Sequence, residues 1–304
     1  MLKLRYTINE EEMLDLQRNL PKVSIIVPTF NSDKTIRACI LSILTQCYPK
    51  HLLEVIVIDE GSTDATLKIV KDFRGIKVHV VRGGRSLARN LGAIKSKGKY
   101  LLFVDSDMIL SRNLINTCVI KMETDKNLVG LNITERIYSN NKLWMYLRDF
   151  ERSFYSNTLV DAARFIKKEA FFSCGGFNNL LQAGEDWDFH LRLSKIGKVD
   201  FISEEHFTHI EFFKGITAYA RKKLTYIRIL ISQFKRDPKL REKLNEQLKP
   251  LYRVLLFTSN GNWKRFLRKP GYAFLILLIK TMLGLLFVLS RYTMNGRSKA
   301  TYDY

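Results

Sequence analysis

Tyr100-Leu101-Leu102-Phe103-Val104-Asp105-Ser106-Asp107 runs from five buried-strand residues straight into two carboxylates. Alternate residues of a strand share a face, so the spacing puts both acids on one face at the strand's C-terminal end. That is the edge at which open α/β sheets bind ligands. Two hard oxygen donors there suit a divalent cation carrying a diphosphate. The alternative is a solvated turn opening the next helix, with Asp107 or Ser111 as its cap.

Upstream, the chain alternates between two patterns. Residues 23–28 and 53–58 read as buried strands, 77–81 as a third and 99–104 as a fourth. Helical stretches separate them at about 33–46, from Ser62, and over 86–95. Such a β-α-β-α rhythm with short connections predicts a parallel sheet covered by helices on both faces. After Asp107 the spacing predicts helices over 111–123, 142–155 and 186–195. Extended runs are expected over 128–138, 158–166 and 198–202, and mostly helix from Lys214 onward.

Four segments carry candidate chemistry. Asp59-Glu60-Gly61-Ser62-Thr63-Asp64 lies where the second strand turns into its helix. Ser62, Thr63 and Asp64 are explained as helix caps, but Asp59 is not needed for that and reads as a ligand for a base or ribose. Gly83-Gly84-Arg85-Ser86, with Arg89 one helical turn on, offers backbone N–H groups and two guanidiniums to a diphosphate. Gly184-Glu185-Asp186-Trp187-Asp188 is either a helix N-terminus decorated with acids, the reading its local sequence favours, or a carboxylate pair poised as a general base with a raised pKa. His209, with His206 as competitor, is a third metal ligand, a phosphate contact or a structural residue.

In order along the chain, Val23-Ser-Ile-Ile-Val-Pro-Thr-Phe-Asn31, Ile58-Asp-Glu-Gly-Ser-Thr-Asp64, Ala88-Arg-Asn-Leu-Gly92, Phe103-Val-Asp-Ser-Asp107 and Gly184-Glu-Asp186 resemble family 2 glycosyltransferases of the GT-A fold. The resemblance covers about residues 22–211. It implies an α/β, Rossmann-like, mixed but mainly parallel sheet, an inverting transfer and a nucleotide-sugar donor, UDP- or GDP-linked. By the same resemblance Pro28, Thr29 and Asp59 line the base pocket and Arg89 approaches the base or phosphates. Asp105 contacts ribose or metal, Asp107 holds Mg²⁺ or Mn²⁺, and Asp186 is the base, supported by Glu185. Some membrane-linked members carry His-x-Glu after the sheet and then a basic helix with Lys-Lys and Tyr. Here these are His209-Ile210-Glu211, Arg221-Lys222-Lys223 and Tyr226, which favours His209 over His206 as ligand. Glu60 departs from the usual second Asp. The Gln-x-x-Arg-Trp motif of processive synthases is not found.

The net charge of +20 is unevenly placed. Residues 1–213 hold 30 Lys+Arg against 26 Asp+Glu, whereas 214–304 hold 20 against 4. The expected domains are therefore an N-terminal segment 1–21, a catalytic domain 22–213 and a basic helical region 214–304 that seeks something anionic. Ile216, Tyr219, Ala220, Leu224, Ile227 and Leu230 recur at helical spacing among cations, as in a helix lying on an anionic bilayer or packed on its own domain. Residues 271–290 are the most apolar stretch, interrupted by Lys280. Insertion of their Leu, Ile, Val and Phe side chains is worth roughly −4 to −7 kcal/mol against about +3 for a central Lys, so a span is marginal.

No secretory signal is visible at the N-terminus, and four cysteines without a close pair read as reduced and structural. The expectation is an enzyme at the cytoplasmic membrane face with a lipid-linked acceptor, such as a polyprenyl phosphate or lipid-linked glycan, or else a soluble or protein-borne glycan. A nucleic-acid-binding protein is disfavoured, because the excess charge sits beside Leu- and Phe-rich segments. A non-catalytic sugar-nucleotide-binding regulator is disfavoured by the intact carboxylate set.

Overall fold

The computed structural model describes residues 19–156, 158, 161–244, 255–257 and 262–294. Most of the expected N-terminal segment 1–21 lies outside them. The chain divides into two compact units. One comprises Met1–Tyr138 and Tyr155–Glu211, the other Ser139–Phe154 and Phe212–Tyr304.

The first unit is built on strands β1 (Val23–Thr29), β2 (Leu53–Asp59), β3 (Lys77–Val80), β4 (Tyr100–Phe103), β5 (Met108–Leu110), β6 (Leu128–Tyr138), β7 (Phe165–Lys167) and β8 (Lys198–Ile210). They form one mixed sheet in the order β3-β2-β1-β4-β7-β6-β8-β5. The β3-β2-β1-β4 half is parallel, as the βα rhythm requires, and β7 is antiparallel to both β4 and β6. All seven side chains of β1 are buried, because both faces of this central strand are covered.

The pleat sorts the core into two layers. Val23, Ile25, Val27, Leu102 and Val104 face one way, against Ile36, Cys39, Ile40 and Ile43 of helix α1 (Ile36–Leu44) and residues of α4 (Leu114–Thr124). Ile26, Leu101 and Phe103 face the other way, against Ala93, Phe171, Phe177 and Phe189. Between α1 and α4 lie α2 (Thr66–Lys71) and α3 (Arg85–Lys95). Gly92 lets α3 approach closely, since a Cβ there would meet Ile26 Cγ2 at 2.3 Å.

Several boundaries differ from the sequence reading. The chain leaves β4 at Phe103, so the strand period no longer governs Asp105 and Asp107, and their carboxylates go to different partners. Beyond them lies a short strand, β5, antiparallel to β8. The run expected over 198–202 continues to Ile210, because an irregularity spanning Ser203–Glu205 shifts the register and the strand then resumes through His209. Of the strand expected over 158–166, the described residues show Phe165–Lys167, and residues 159 and 160 lie outside them. Ser62 and Thr63 do not cap the helix; it starts at Thr66, whose N–H donates to Asp64 Oδ1 at 2.9 Å.

The second unit is helical. It contains α5 (Lys142–Arg152), α8 (Ile216–Arg236), α9 (Pro238–Lys243), α10 (Asn262–Arg268) and α11 (Pro270–Met294), while α6 (Lys168–Ser173) and α7 (Glu185–Leu193) belong to the first. An aromatic cluster of Phe150, Phe154, Phe257 and Phe266 joins α5 to α10. Ala220 and Leu230 of α8 are buried and Tyr219 packs edge-on against Trp144, so part of the apolar stripe of 216–236 packs inside the unit, while Ile216 and Tyr226 stay exposed. Lys280 interrupts the apolar helix α11 because it ion-pairs with buried Glu151. No helix among the described residues is long and apolar enough to cross a membrane.

Candidate active site

Three of the predicted carboxylates, Asp105, Glu185 and Asp186, converge on one side chain, Arg89. Its guanidinium is buried between three carboxylates. Nη1 donates to Asp186 Oδ1 at 2.5 Å and lies 3.3 Å from Glu185 Oε1, and Nη2 donates to Asp105 Oδ1 at 2.8 Å. The plane is supported by the Phe177 ring, 5.0 Å from centroid to Cζ. Phe177 is itself held by Asn90, which donates to its carbonyl and accepts from its N–H. The Gly175-Gly176 turn, both residues at positive φ, makes this possible; a Cβ on Gly176 would meet Asn90 Oδ1 at 2.8 Å. The Ala88–Gly92 motif therefore carries the guanidinium, its clamp and the glycine that seats the helix.

Arg164 is the residue the sequence reading missed. It reaches Asp105 Oδ2 at 3.1 Å and Glu135 at 3.5 Å. Asp105 thus has a guanidinium on each oxygen. Burial alone would raise its pKa, but Arg164, Arg89 and Arg85 hold it well below the usual carboxylate range. Arg89, expected to approach the base or phosphates, is hydrogen-bonded to three carboxylates in this structure. Arg85, with an exposed side chain, is the guanidinium open to solvent, 3.8 Å from Glu185.

The two acids of the Gly184 turn diverge. Glu185 is almost fully buried, and burial together with the charge of Asp186 pushes its carboxyl up to about 7, against the pull of Arg89 and Arg85. Asp186 keeps 30% of its side chain exposed. Burial would raise it, yet Arg89 and Arg164 outweigh that and lower it. The raised member of the pair is therefore Glu185, and Asp186 is the ionised, accessible one.

Asp107 and His209 meet at 2.9 Å, Oδ2 to Nε2, brought together by the Met108↔His209 register of β5 and β8. Burial lowers the His209 pKa, but the hydrogen bond and charge of Asp107 outweigh it and leave it raised. His206 lies three residues up the strand, with its N–H on Ser111 Oγ. A carboxylate oxygen and an imidazole nitrogen side by side are a donor pair suited to a divalent cation that takes its other ligands from a diphosphate and water. With Asp105 occupied by arginines, no group of three His, Cys, Asp or Glu among the described residues is arranged to hold a metal.

Pro28 and Thr29 end β1 in register with Ile58 and Asp59. Thr29 Oγ1 is buried without a hydrogen-bond partner, a free polar atom at the ligand edge. The Asp59 carboxylate, wholly buried, is used locally: Oδ2 accepts from the N–H groups of Gly61 and Ser62 at 3.0 and 2.9 Å, and Oδ1 from Ser62 Oγ at 2.5 Å. Ser62 Oγ in turn accepts from Asn31 N–H, so the loops after β1 and β2 are knitted together. Glu60 faces Arg85 and Arg89, and burial raises its pKa in spite of them.

A mixed sheet in this strand order, with acids and arginines at the carboxyl ends of its parallel strands, defines a GT-A-type domain. The family model for glycosyl transferase family 2 matches residues 24–181, just over half of the chain, and the chain belongs to that family. Over 198 residues it is 28% identical to a chondroitin synthase of Pasteurella multocida, covering 61% of this chain and 20% of that protein. Over 100 residues it is 39% identical to the poly(ribitol-phosphate) beta-N-acetylglucosaminyltransferase TarS of Staphylococcus aureus, covering 31% of this chain and 18% of that one. The crystal structure of TarS residues 1–349 with UDP-GlcNAc superposes with a TM-score of 0.54 at 20% identity, over 83% of this chain and 78% of that one. The matched stretch thus spans about a fifth of either relative's full length.

Proposed function

We propose that the protein is an inverting, metal-dependent glycosyltransferase that moves a sugar from a nucleotide-sugar to a lipid-linked acceptor at the cytoplasmic face of a membrane. The observation that carries the catalytic part is the Arg89-centred carboxylate cluster lying beside the Asp107–His209 pair at the ligand edge of the sheet. Uridine is preferred over guanosine as the donor base, because the superposed TarS structure holds UDP-GlcNAc.

Pro28, Thr29 and Asp59 form the floor of the base site, with Thr29 Oγ1 offering an unused polar atom and Asp59 fixing the loop around the base. Asp107 and His209 would hold Mg²⁺ or Mn²⁺, which, when bound, neutralises charge on the departing nucleoside diphosphate. Arg85 adds a cation on the open side. Arg89 and Arg164 fix Asp105 for the ribose. Asp186, ionised and reachable, takes the proton of an acceptor hydroxyl as the sugar's anomeric bond to phosphate breaks on the opposite face. Glu185 behind it, its carboxyl pushed up by burial and by the charge of Asp186, holds its proton more readily than an ordinary glutamate and so lessens the negative charge facing the incoming diphosphate. An acceptor phosphate would already be ionised and would need Asp186 only for alignment.

The lipid-linked acceptor and the membrane location rest on the basic, apolar C-terminal residues. A polymer or glycan acceptor without lipid is the second reading, favoured by the names of the chondroitin synthase and TarS relatives. Nucleotide release from UDP-, GDP- and dTDP-sugars, with Mn²⁺ or Mg²⁺ and with or without membrane lipid extract, tests both. Metal-dependent release from a UDP-sugar, stimulated by lipid, is expected. Release indifferent to lipid and stimulated by a soluble glycan would select the second acceptor. Absence of release from every donor by folded protein would overturn the transferase reading.

A further inference from the structure

Segment 255–294 carries two features that the catalytic reading does not use. The first is exposed apolar surface on consecutive helices. Trp263 and Leu267 of α10 stand one turn apart, and Phe274, Leu277, Leu278 and Leu285 follow on α11; all six are 43–66% exposed. On α11 most of these side chains lie away from the face that buries Ala273 and Ile276 and carries Lys280. The helix thus packs on one side and leaves a row of large apolar side chains exposed, the kind of surface that marks an interaction site.

The second feature is charge. No Asp or Glu occurs between Glu246 and Asp303. Lys264, Arg265, Arg268 and Lys269 stand beside the stripe, all exposed. The cation within α11's apolar run, Lys280, is ion-paired with buried Glu151 and keeps a third of its side chain exposed.

We infer that α10 and the outward stripe of α11 form a docking surface for an anionic lipid bilayer, with the helices lying in the plane of the headgroups. An apolar stripe bordered by cations, with a Trp at its start, matches the headgroup–acyl boundary of such a membrane. A second copy of the chain would set like charge against like charge, and duplex nucleic acid would leave the Phe and Leu side chains unused. The helix over 216–236 buries Ala220 and Leu230 in its own unit and leaves Ile216 and Tyr226 exposed, a less continuous apolar row than that of α10 and α11. The inference deepens the proposed membrane location. Its readout is partition rather than turnover, so it fails separately from the transferase reading.

The test is flotation of the full chain with vesicles of phosphatidylcholine alone or mixed with phosphatidylglycerol, at low and high salt. Binding to the mixed vesicles, weakened by salt, is expected. Lys264→Gln with Arg268→Gln and Lys269→Gln should lower the partition coefficient to mixed vesicles roughly a hundredfold. Phe274→Ser with Leu278→Ser should lower it about tenfold or more at any salt. Circular dichroism and UDP binding serve as folding controls, since none of these residues touches the site. Folded protein that ignores mixed vesicles, or binding unmoved by both sets of variants, would overturn the inference. So would a salt-resistant dimer in the ultracentrifuge that Phe274→Ser dissolves, which would give the stripe to a second copy.

Discussion

Two buried glutamates, Glu185 in the sheet unit and Glu151 in the helical unit, are 5% and 4% exposed, yet their acidities move in opposite directions. Glu185 has Asp186 next to it and shares Arg89 with two other carboxylates, so burial and like charge dominate and its pKa rises. Glu151 pays the same burial cost, but Arg148 and Lys280 both close on it and Lys223 adds to them, so its carboxyl is driven far below the usual range. The helical unit uses buried charge as a closed structural joint. The sheet unit leaves it incompletely matched at an open edge, which is how groups poised for ligand chemistry are held. Arg89 Nε and Thr29 Oγ1, both buried without a hydrogen-bond partner, belong to the same unfinished edge.

The comparison breaks most visibly at Asp186. Asp186→Asn should lower kcat about 10²–10⁴-fold with a hydroxyl acceptor while leaving the melting temperature near wild type, read by steady-state nucleotide release. A loss below tenfold would mark an acceptor that is already ionised. Glu151→Ala should do the reverse. It removes the carboxylate that Arg148 and Lys280 share and should cost about 3–5 kcal/mol in denaturant unfolding of the helical unit, with turnover per folded molecule unchanged.

Arg164→Lys should cost about 1.5–3 kcal/mol of UDP affinity by calorimetry, because an ammonium does not bridge Asp105 and Glu135 as a guanidinium does. The smallest effect is in pH. Because the Glu185 pKa is raised, its stability contribution is complete below its ordinary value of 4.5 and is lost as pH rises through about 7. Because the Glu151 pKa is lowered, its contribution is complete above 4.5 and is lost only on acidification. Differences in unfolding midpoint between wild type and Glu185→Gln, and between wild type and Glu151→Gln, should therefore slope in opposite directions with pH.

The parallel half of the sheet was legible because buried runs such as Val23–Val27 and Leu101–Val104 have few other uses, and the intervening helices keep sequence neighbours adjacent in space. Asp107, Asp186 and Arg89 were legible through motifs tied to those strand ends. Arg164 was not. It precedes the three-residue strand β7, and only the antiparallel pairing of β7 with β4, set by contacts far apart in sequence, brings it to Asp105. The length of β8 was hidden by Ser203–Glu205, polar residues that read as a strand end and instead mark a register shift. The partner of Lys280 was hidden for the same reason as Arg164, since Glu151 lies on a helix whose sequence neighbours belong to the other unit.

Equilibrium binding of UDP to the full chain, with and without Mn²⁺, compared between wild type and Asp107→Ala, tests the central claim most directly. The account predicts that Mn²⁺ tightens UDP binding to the wild type and that Asp107→Ala abolishes the tightening while leaving a weaker, metal-independent affinity. A folded wild type that binds no UDP, or one whose affinity ignores both Mn²⁺ and the loss of Asp107, would contradict a nucleotide site at this edge of the sheet.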